Sequence, residues 1–279
     1  MASPLVVRIR GGLGNQLFQY ASALGIAAAT GRPLRVDVTT GFARDIYRRS
    51  YRLDRLAEPP VAANRLQIGW AIARSYRRWK AFRVTEPEQM HGRGISYHPA
   101  LLAGGAPRYL EAYLQSPRYF EAVTEKVRAA LTPNVRASAE VTAASEAPHS
   151  VALHVRRKDY EPVLPVSYYR AAVERVRAQA PSAQFFVLGD DPDFVARELA
   201  WLEPKRVIAS EGEDADLLDL ALIAACRHRI VANSSFSWWG AWLSSRDGMV
   251  VAPALWWKGA PRPRDLFPTA WYVLDGEAA

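Results

Sequence analysis

The stretch that decides the fold is Val6–Gln16, which reads Val-Val-Arg-Ile-Arg-Gly-Gly-Leu-Gly-Asn-Gln. Its β-branched beginning predicts a strand over Val6–Ile9, and the glycines that follow predict a tight turn. Apolar residues then recur at helical spacing from Gln16 to Ala29, and Leu34–Val38 has the composition of a second strand. A strand, a helix and a strand in this order predict a parallel sheet with helices on its faces.

The same alternation returns in the second half of the chain. Strands are predicted at Ser150–Val155, Gln184–Gly189, Arg206–Ile208, Arg229–Ala232 and Val250–Pro253, and helices at Ser167–Ala180, Pro192–Trp201, Asp216–Cys226 and Ser237–Leu243. Prolines and small residues over 133–149 predict a linker between the halves. We therefore expect two α/β domains, an N-terminal one over residues 1–140 and a C-terminal Rossmann-like one over residues 141–279.

The N-terminal half is harder to read beyond its first strands. Tyr109–Leu114 is predicted as a strand and about Arg118–Leu131 as a helix. Residues 41–100 are rich in arginine and aromatic residues and predict mostly helices and loops.

Composition excludes several classes of protein. The chain has 279 residues, 49% of them hydrophobic and 23% charged, which is typical of a globular protein and excludes a disordered or collagen-like chain. A single cysteine, Cys226, cannot form an internal disulfide, so we expect a reducing, cytoplasmic setting. Neither a secretory leader nor a membrane-spanning run is predicted.

The net charge of +8 comes mostly from arginine, since only five of the 36 basic residues are lysine. Arginine matches phosphate geometry, so the excess fits anionic ligands. A bias in overall composition would explain it equally well. Nucleic acid and anionic membrane surfaces remain open as partners at this level.

The glycine turn is the first candidate site. Backbone N–H groups at the start of a helix suit phosphate oxygens, and Gly11, Gly12, Leu13, Gly14 and Asn15 occupy such a position. The pattern is neither G-x-G-x-x-G nor a P-loop, so the common nucleotide-binding motifs do not apply. The alternative is a purely structural turn beneath a helix.

The second candidate site follows a predicted strand and reads His154-Val155-Arg156-Arg157-Lys158-Asp159-Tyr160. On a strand, His154 and Arg156 share one face, while Arg157 faces the other way. An arginine at the carboxyl end of a parallel strand can bind a diphosphate through two hydrogen bonds. The alternative is a solvated basic turn.

Two further segments follow predicted strands. Asp190 or Asp191 would contact a ribose or a base, unless Asp191 with Pro192 only caps a helix. The segment Asn233–Trp242 begins with serines whose hydroxyl and N–H groups suit phosphate, whereas its tryptophans predict core packing. No group of His, Cys and carboxylate residues has metal-binding spacing, so no metal is predicted.

Together these segments resemble the α-1,2-fucosyltransferases of glycosyltransferase family 11. Gly11–Ala21 is similar to the N-terminal signature of that family, His154–Tyr160 to its H-x-R-R-x-D motif and Asn233–Leu243 to its third signature. Tyr109–Phe120 is also similar to a stretch found there. Ala112 and Lys158 stand where that pattern more often has glycine.

The resemblance implies a GT-B fold, with two facing Rossmann-like domains and a donor cleft between them. It implies inverting transfer of L-fucose from GDP-β-L-fucose to the 2-hydroxyl of a galactoside, with no cofactor and no required metal. The implied donor-binding residues are Gly11, Gly12, Leu13, Gly14, Asn15, His154, Arg156, Asp190, Asp219, Asn233, Ser234, Ser235 and Phe236. The candidate catalytic residues are Arg156, Asn15, His154 and Asp159. His154, whose unperturbed pKa lies near neutrality, and Asp159 are alternative general bases; in another reading His154 orients a phosphate or a ribose and Asn15 only orients the acceptor hydroxyl.

Two other functions are left open by the sequence. One is a GDP-sugar transferase with a different acceptor, such as a protein O-fucosyltransferase. The other is a non-enzymatic basic protein that binds an anionic surface, suggested by the arginines between Arg44 and Arg83. For the transferase we expect no nucleic-acid partner, a cytoplasmic location and peripheral contact with the inner membrane face. No oligomeric state is predicted.

Overall fold

Two parallel sheets organise the chain, one in each of two units. The structure is a computed structural model that describes residues 3–43, 45, 47–82, 97–104, 108–158, 161–258 and 262–275. Unit 1 comprises Met1–Thr132 with Arg264–Pro268, and unit 2 comprises Pro133–Pro263 with Thr269–Ala279. The first boundary therefore follows Thr132, whereas the sequence placed it after residue 140.

Unit 1 contains a three-stranded parallel sheet in the order β2-β1-β3. Its strands are β1 (Leu5–Arg8), β2 (Leu34–Asp37) and β3 (Tyr109–Leu110), and its helices are α1 (Leu13–Thr30), α2 (Arg65–Phe82) and α3 (Thr124–Leu131). Short 3-10 turns lie at Leu53–Arg55, Pro99–Leu101, Pro117–Tyr119 and Glu121–Val123. The predicted parallel sheet is thus observed, with β1 in its centre.

Helix α1 begins inside the glycine turn, three residues before its predicted start. Gly12 is extended, and its carbonyl already accepts the N–H of Gln16 at 3.1 Å, so the helix starts at Leu13. Gly31 ends the helix in the left-handed region with φ 62°, and its N–H is donated to Ala27 and Ala28. Nearly every residue between these ends is buried.

The segment after β3 differs from the prediction. Only Tyr109 and Leu110 pair with β1, because Leu114 has φ 52° and its carbonyl accepts the N–H of Ser116 at 2.8 Å, which turns the chain. The predicted helix over 118–131 is regular only from Thr124, where α3 begins.

Unit 2 contains a six-stranded parallel sheet in the order β6-β5-β4-β7-β8-β9. Its strands are β4 (Ser150–Val155), β5 (Gln184–Gly189), β6 (Lys205–Val207), β7 (His228–Ile230), β8 (Val250–Pro253) and β9 (Tyr272–Leu274). Its helices are α4 (Ala139–Glu146), α5 (Val166–Gln179), α6 (Pro192–Glu198), α7 (Ala215–Ala225) and α8 (Ser235–Leu243).

Helix α4 lies within the segment predicted as a linker. Ser138 begins it by accepting the N–H of Val141 at 3.2 Å. Ala144 of this helix is buried in one cluster with Leu222 and Ile223 of α7. The small residues that resemble a linker in sequence therefore allow close helix packing.

The strand order of unit 2 reverses between β4 and β7. From β4 the chain proceeds outward through β5 and β6, and then returns to the other side of β4 with β7. In open parallel sheets ligands bind beyond the carboxyl ends of the strands at such a reversal. The fold therefore directs attention to the segments that follow β4 and β7.

Among the helices that the structure describes, none is both long and apolar enough to cross a bilayer.

Candidate functional site

Three neighbouring strands of unit 2 bring the predicted residues to one edge of the sheet. His154 is the penultimate residue of β4, Asp190 follows β5 and Asn233 follows β7. Because β5 and β7 both pair with β4 in parallel, these residues share the carboxyl edge. Three predicted residues, Ser234, Ser235 and Phe236, also lie here, at the start of α8.

Asp190 ties the segment after β4 to the end of β5. Its carboxylate accepts the N–H of Arg157 at 2.8 Å and the N–H of Lys158 at 3.1 Å. It also pairs with Nη1 of Arg156 at 3.1 Å. A guanidinium has five N–H donors, so this pairing leaves Arg156 donors for an anionic ligand. In this structure Asp190 thus holds the arginine that the sequence assigns to the diphosphate.

Arg157 turns away from Arg156, as the alternation along the strand predicts. Its Nε donates to Asp191 at 3.2 Å, and its guanidinium lies 3.9 Å from the ring centre of Phe194. Asp191 also accepts the N–H of Phe194 at 3.0 Å and begins α6, with Pro192 in the first turn. Of the two predicted roles of Asp191, the structure shows the helix cap.

His154 is buried at the end of β4, with 6% of its surface exposed, and its ring centre lies 5.7 Å from that of Phe236. Burial, reinforced by the charge of Arg156, lowers the pKa of His154 to about 3. The imidazole is therefore neutral at physiological pH and a weak base. The sequence argument for His154 as a general base assumed a pKa near neutrality, and burial removes that basis.

His154 nevertheless has hydrogen-bonding capacity to offer. Within the described part of the chain its buried Nδ1 has no hydrogen-bond partner. A neutral imidazole accepts or donates one hydrogen bond at such an atom. This agrees with the alternative that His154 orients a phosphate or a ribose.

The turn after β7 leads into the first residues of α8. The side-chain N–H of Asn233 is donated to the Pro162 carbonyl at 2.7 Å, while its buried Oδ1 has no partner among the described residues. Ser234 is extended and precedes Ser235, the first helical residue. The first turn of α8 contains no acidic residue, so no carboxylate within that turn competes with a bound anion for its N–H groups and partial positive charge.

The tryptophans of α8 pack inside unit 2. Trp238 and Trp239 are fully buried and lie edge to face, with ring centres 5.0 Å apart. They therefore serve the core, as the sequence reading favoured.

Asp219 lies on α7, which packs against α8. Burial raises the pKa of its carboxyl group, with Asp216 adding to the shift and a hydrogen bond with Ser210 opposing it. Its Oδ1 is buried and has no partner in the part of the chain described here. A carboxyl group with an unused buried oxygen suits the N–H donors of a ligand.

The other acidic candidate, Asp159, lies outside the described residues.

The glycine turn of unit 1 connects β1 to α1 as predicted. Gly11 has φ 79°, and an added Cβ would lie 3.3 Å from Nδ2 of Asn15, so this position favours glycine. Leu13, Gly14 and Asn15 form the first turn of α1, whose first turn has no acidic residue. Gln16 fixes the turn from below by donating to the carbonyls of Gly11 and Ser50, both at 2.8 Å.

Three further residues of unit 1 lie beside the glycine turn and were not among the residues predicted for the site. Glu111 pairs with Arg8 and with Arg10, the latter at 3.5 Å. Gln115 donates its side-chain N–H to Oδ1 of Asn15 at 2.8 Å. The third is Tyr113, whose ring lies 4.8 Å from the guanidinium of Arg10. All three lie in the segment Tyr109–Phe120, which the sequence analysis found similar to family 11. The prediction of a strand there did not indicate which of its side chains face the glycine turn.

Of the side chains described, no three His, Cys, Asp or Glu residues are grouped closely enough to hold a metal ion.

Comparison with known proteins gives a consistent result. The model of the family described as Glycosyl transferase family 11 matches residues 82–274. An *Escherichia coli* protein named alpha-1,2-colitosyltransferase is 26% identical over 92% of this chain and 93% of its own length. The mouse protein named galactoside 2-alpha-L-fucosyltransferase Sec1 is 24% identical over 88% of this chain and 66% of its own length.

One solved structure establishes the fold class. *Arabidopsis thaliana* FUT1, solved as a mutant in complex with GDP, superimposes with a TM-score of 0.54 at 13% identity. The match covers 96% of this chain and 75% of that chain. The α/β chain with its parallel sheets is thus a GT-B fold, and the predicted fold class is confirmed.

Proposed function

The chain belongs to glycosyltransferase family 11, and from this premise we propose that it is a galactoside α-1,2-fucosyltransferase. It transfers L-fucose from GDP-β-L-fucose to the 2-hydroxyl of a galactoside, with inversion at the anomeric carbon, in the synthesis of a surface polysaccharide or oligosaccharide. The observation that carries the proposal is the family match over residues 82–274, which contains the H-x-R-R-x-D and serine signatures. The name of the mouse relative supports the same linkage.

The donor diphosphate binds at the carboxyl edge of unit 2 in this proposal. Arg156 supplies the guanidinium, and the first turn of α8 supplies N–H groups and the Ser234 and Ser235 hydroxyl groups. The strand reversal beside β4 and the absence of an acidic residue in that turn support this arrangement. His154 and Asn233 orient phosphate or ribose through their buried polar atoms.

Asp219 receives the N–H donors of the nucleotide base. Its unused buried oxygen and its position on the helix beside α8 support this role. Asp190 acts through Arg156, because its carboxylate is already occupied by two backbone N–H groups and that guanidinium.

Catalysis rests on stabilising the charge that grows on GDP as the anomeric C–O bond breaks. Preorganised donors aimed at that charge typically contribute ~10²–10³ in rate each. In unit 1 the N–H groups of Gly12, Leu13 and Gly14 and the side chain of Asn15 remain the candidates from the sequence for contact with the donor phosphate and the acceptor hydroxyl, while the N–H of Asn15 is donated to the Gly12 carbonyl at 3.0 Å. Asp159 is the remaining candidate from the sequence for a general base.

The direct test is incubation of the purified chain with GDP-fucose and a panel of β-galactosides, followed by linkage analysis of the product. We expect fucose on the 2-hydroxyl of galactose. A different linkage, or transfer to protein only, would support another GDP-sugar transferase. Binding of DNA with no affinity for GDP would instead support the basic surface-binding protein, an alternative that the family match does not favour.

A second donor is favoured by one observation. The *Escherichia coli* relative aligned over 92% of this chain is named for colitose, which is fucose without its 3-hydroxyl group. The two GDP-sugars therefore compete as donors in the same assay. A higher kcat/KM with GDP-colitose would assign the chain to colitosyl transfer while leaving its linkage chemistry unchanged.

The enzyme works without a metal ion in this proposal, because cationic side chains and helix N–H groups supply the charge that a metal would supply. Full activity in excess chelator is expected. Loss of activity that Mg²⁺ or Mn²⁺ restores would contradict it.

We also propose a cytoplasmic enzyme with peripheral contact at the inner membrane face. The single cysteine, Cys226, supports a reducing setting, because a chain with one cysteine has no internal disulfide that would need an oxidising compartment. Fractionation of producing cells tests the location, and washing of the membrane fraction with high salt tests the contact.

A further inference from the structure

Helix α2 of unit 1 presents apolar side chains to solvent. Leu66 is 84% exposed and Trp70, one turn later, is 41% exposed. Exposed aliphatic and aromatic side chains on one stripe of a helix mark an interaction surface more often than isolated ones do.

The inner face of α2 packs against the sheet of unit 1. Ile68 and Ala71 are buried against Val6 of β1 and Tyr109 of β3. Ser75 also faces inward, where its hydroxyl accepts the N–H of Tyr109 at 2.9 Å. Leu66 and Trp70 therefore lie on the side of the helix that packing against the sheet does not use.

Positive charge surrounds the exposed tryptophan. The guanidinium of Arg108 lies 4.5 Å from a ring centre of Trp70, and that of Arg74 lies 5.3 Å from it. Arg65 is exposed at the start of the helix, and the sequence of Arg65–Phe82 contains no Asp or Glu.

Arg108 also lies close to another cation of unit 1. Burial, together with the charge of Arg108, lowers the pKa of the Arg32 guanidinium, which places two cations close together. The buried Nη1 of Arg108 has no hydrogen-bond partner within the ranges that the structure describes. An anionic group outside the chain would relieve the repulsion between these two cations.

We propose that the surface formed by Arg65, Leu66, Trp70, Arg74 and Arg108, called here the Trp70 surface, docks on an anionic phospholipid bilayer. Tryptophan favours the interface between headgroups and acyl chains, and leucine inserts below it. Each basic residue near an anionic bilayer adds to the attraction. A bilayer offers both an apolar layer and phosphate groups to one flat surface, which fits the mixture found here.

The position of this surface is compatible with catalysis at the other edge of the sheet. Arg108 precedes β3 and so lies at the amino edge of the unit 1 sheet. The glycine turn follows β1 and lies at the carboxyl edge. Arg108 of the Trp70 surface therefore lies at the end of the unit 1 sheet opposite the glycine turn.

Vesicle flotation of the full chain tests the proposal. We expect the chain to float with vesicles of phosphatidylglycerol and phosphatidylcholine, and not with vesicles of phosphatidylcholine alone. The double variant Leu66→Ser/Trp70→Ser should lose most of this binding. Arg65→Gln/Arg74→Gln should weaken partitioning by about 25-fold, from about fivefold per basic residue.

The matched control is Arg170→Gln/Val207→Ser, which removes an arginine that stacks on Trp201 and an exposed valine, both in unit 2. This variant should float like the parent chain. Three results of the flotation assay would overturn the proposal: no flotation, equal flotation with neutral vesicles, or flotation that the variants of the Trp70 surface do not change. Binding of this surface to DNA but not to vesicles would also overturn it. Fucosyl transfer to a soluble galactoside in the same samples separates failure of docking from failure of the enzymatic function.

Discussion

At the residue scale, two adjacent arginines of unit 2 have different partners. Arg156 pairs with Asp190 beside the strand reversal, whereas Arg157 pairs with Asp191 and stacks on Phe194. Arg156→Ala should therefore lower kcat by ~10²–10³ while the unfolding temperature changes little. The comparison is Arg157→Ala, which removes the same charge but should affect stability more than turnover. Near-normal turnover in Arg156→Ala would contradict the assignment.

Gln115 is expected to position Asn15 in unit 1. Its side-chain N–H is donated to Oδ1 of Asn15, which leaves the amide N–H₂ of Asn15 facing away from that bond. Gln115→Leu should lower kcat about fivefold, the equivalent of one ordinary hydrogen bond. In a double-mutant cycle with Asn15→Ala the two losses should not add. Additive losses would show that Gln115 acts elsewhere.

Two buried histidines make stability depend on pH. Burial, with nearby arginines, lowers the pKa of His228 to about 4, and that of His154 is lowered to about 3. Below pH 6.5 the unfolded chain takes up protons that the folded chain refuses, so stability should fall as the pH decreases toward 4. Urea unfolding at pH 7 and pH 5 measures this loss.

His228→Asn provides the control for that measurement. Its side-chain oxygen can still accept the N–H of Met249, which now bonds to Nδ1 of His228 at 3.1 Å. The variant should lose less stability than the parent chain between pH 7 and pH 5. An unchanged pH dependence would show that other groups cause it.

At the element scale, Arg246 joins the ends of two helices in unit 2. Its guanidinium donates to the carbonyls of Ala144 in α4 and Ala225 in α7, both at 3.0 Å. A cation at the negative ends of two helices also interacts favourably with their dipoles. Arg246→Ala should reduce the free energy of unfolding by about 3 kcal/mol, because carbonyls lose a charged donor.

The control for Arg246 is Arg227→Ala, which removes an exposed arginine from the same edge of the sheet. Such a surface change typically stays within about 0.5 kcal/mol. Equal effects of the two substitutions in urea unfolding would contradict the capping role.

The strands and helices of unit 2 were predicted from the sequence more accurately than those of unit 1. The predicted bounds of β4, β5 and β8 are those observed, because β-branched and aromatic runs between turn residues define buried parallel strands. β9 was missed, since Tyr272–Leu274 is short and gains its pairing only from β8. Helix α4 was missed because small residues resemble a linker until α7 covers them.

The sequence predicted which residues follow the strands of the candidate site. It did not predict the properties of those residues that depend on packing, such as their pKa values and hydrogen-bond partners. Position after β4 identified His154 and Arg156, but nothing in the sequence shows that burial lowers the pKa of His154. The role of Asp190 as a tie between two strand ends likewise depends on strand order. Gln115 is distant from Asn15 in sequence, so only the fold brings the two amides together.

At the scale of the whole molecule, the C-terminal segment serves both units. Arg264–Pro268 belongs to unit 1, where Asp265 pairs with Arg118 at 2.8 Å, and β9 then completes the sheet of unit 2. Deletion of residues 264–279 should therefore lower the thermal stability of both units in calorimetry. The control is deletion of residues 276–279 alone, which should leave the unfolding transitions unchanged. This comparison separates the loss of β9 and Asp265 from the effect of shortening the chain.

The return of Arg264–Pro268 to unit 1 has a consequence for building hybrid transferases. A graft that takes residues 1–132 from this chain and everything later from a homologue would leave Arg118 facing a foreign counterpart of Asp265. A hybrid that exchanges donor specificity between family members therefore needs three splice points rather than one. Residues 264–268 must come from the same parent as residues 1–132.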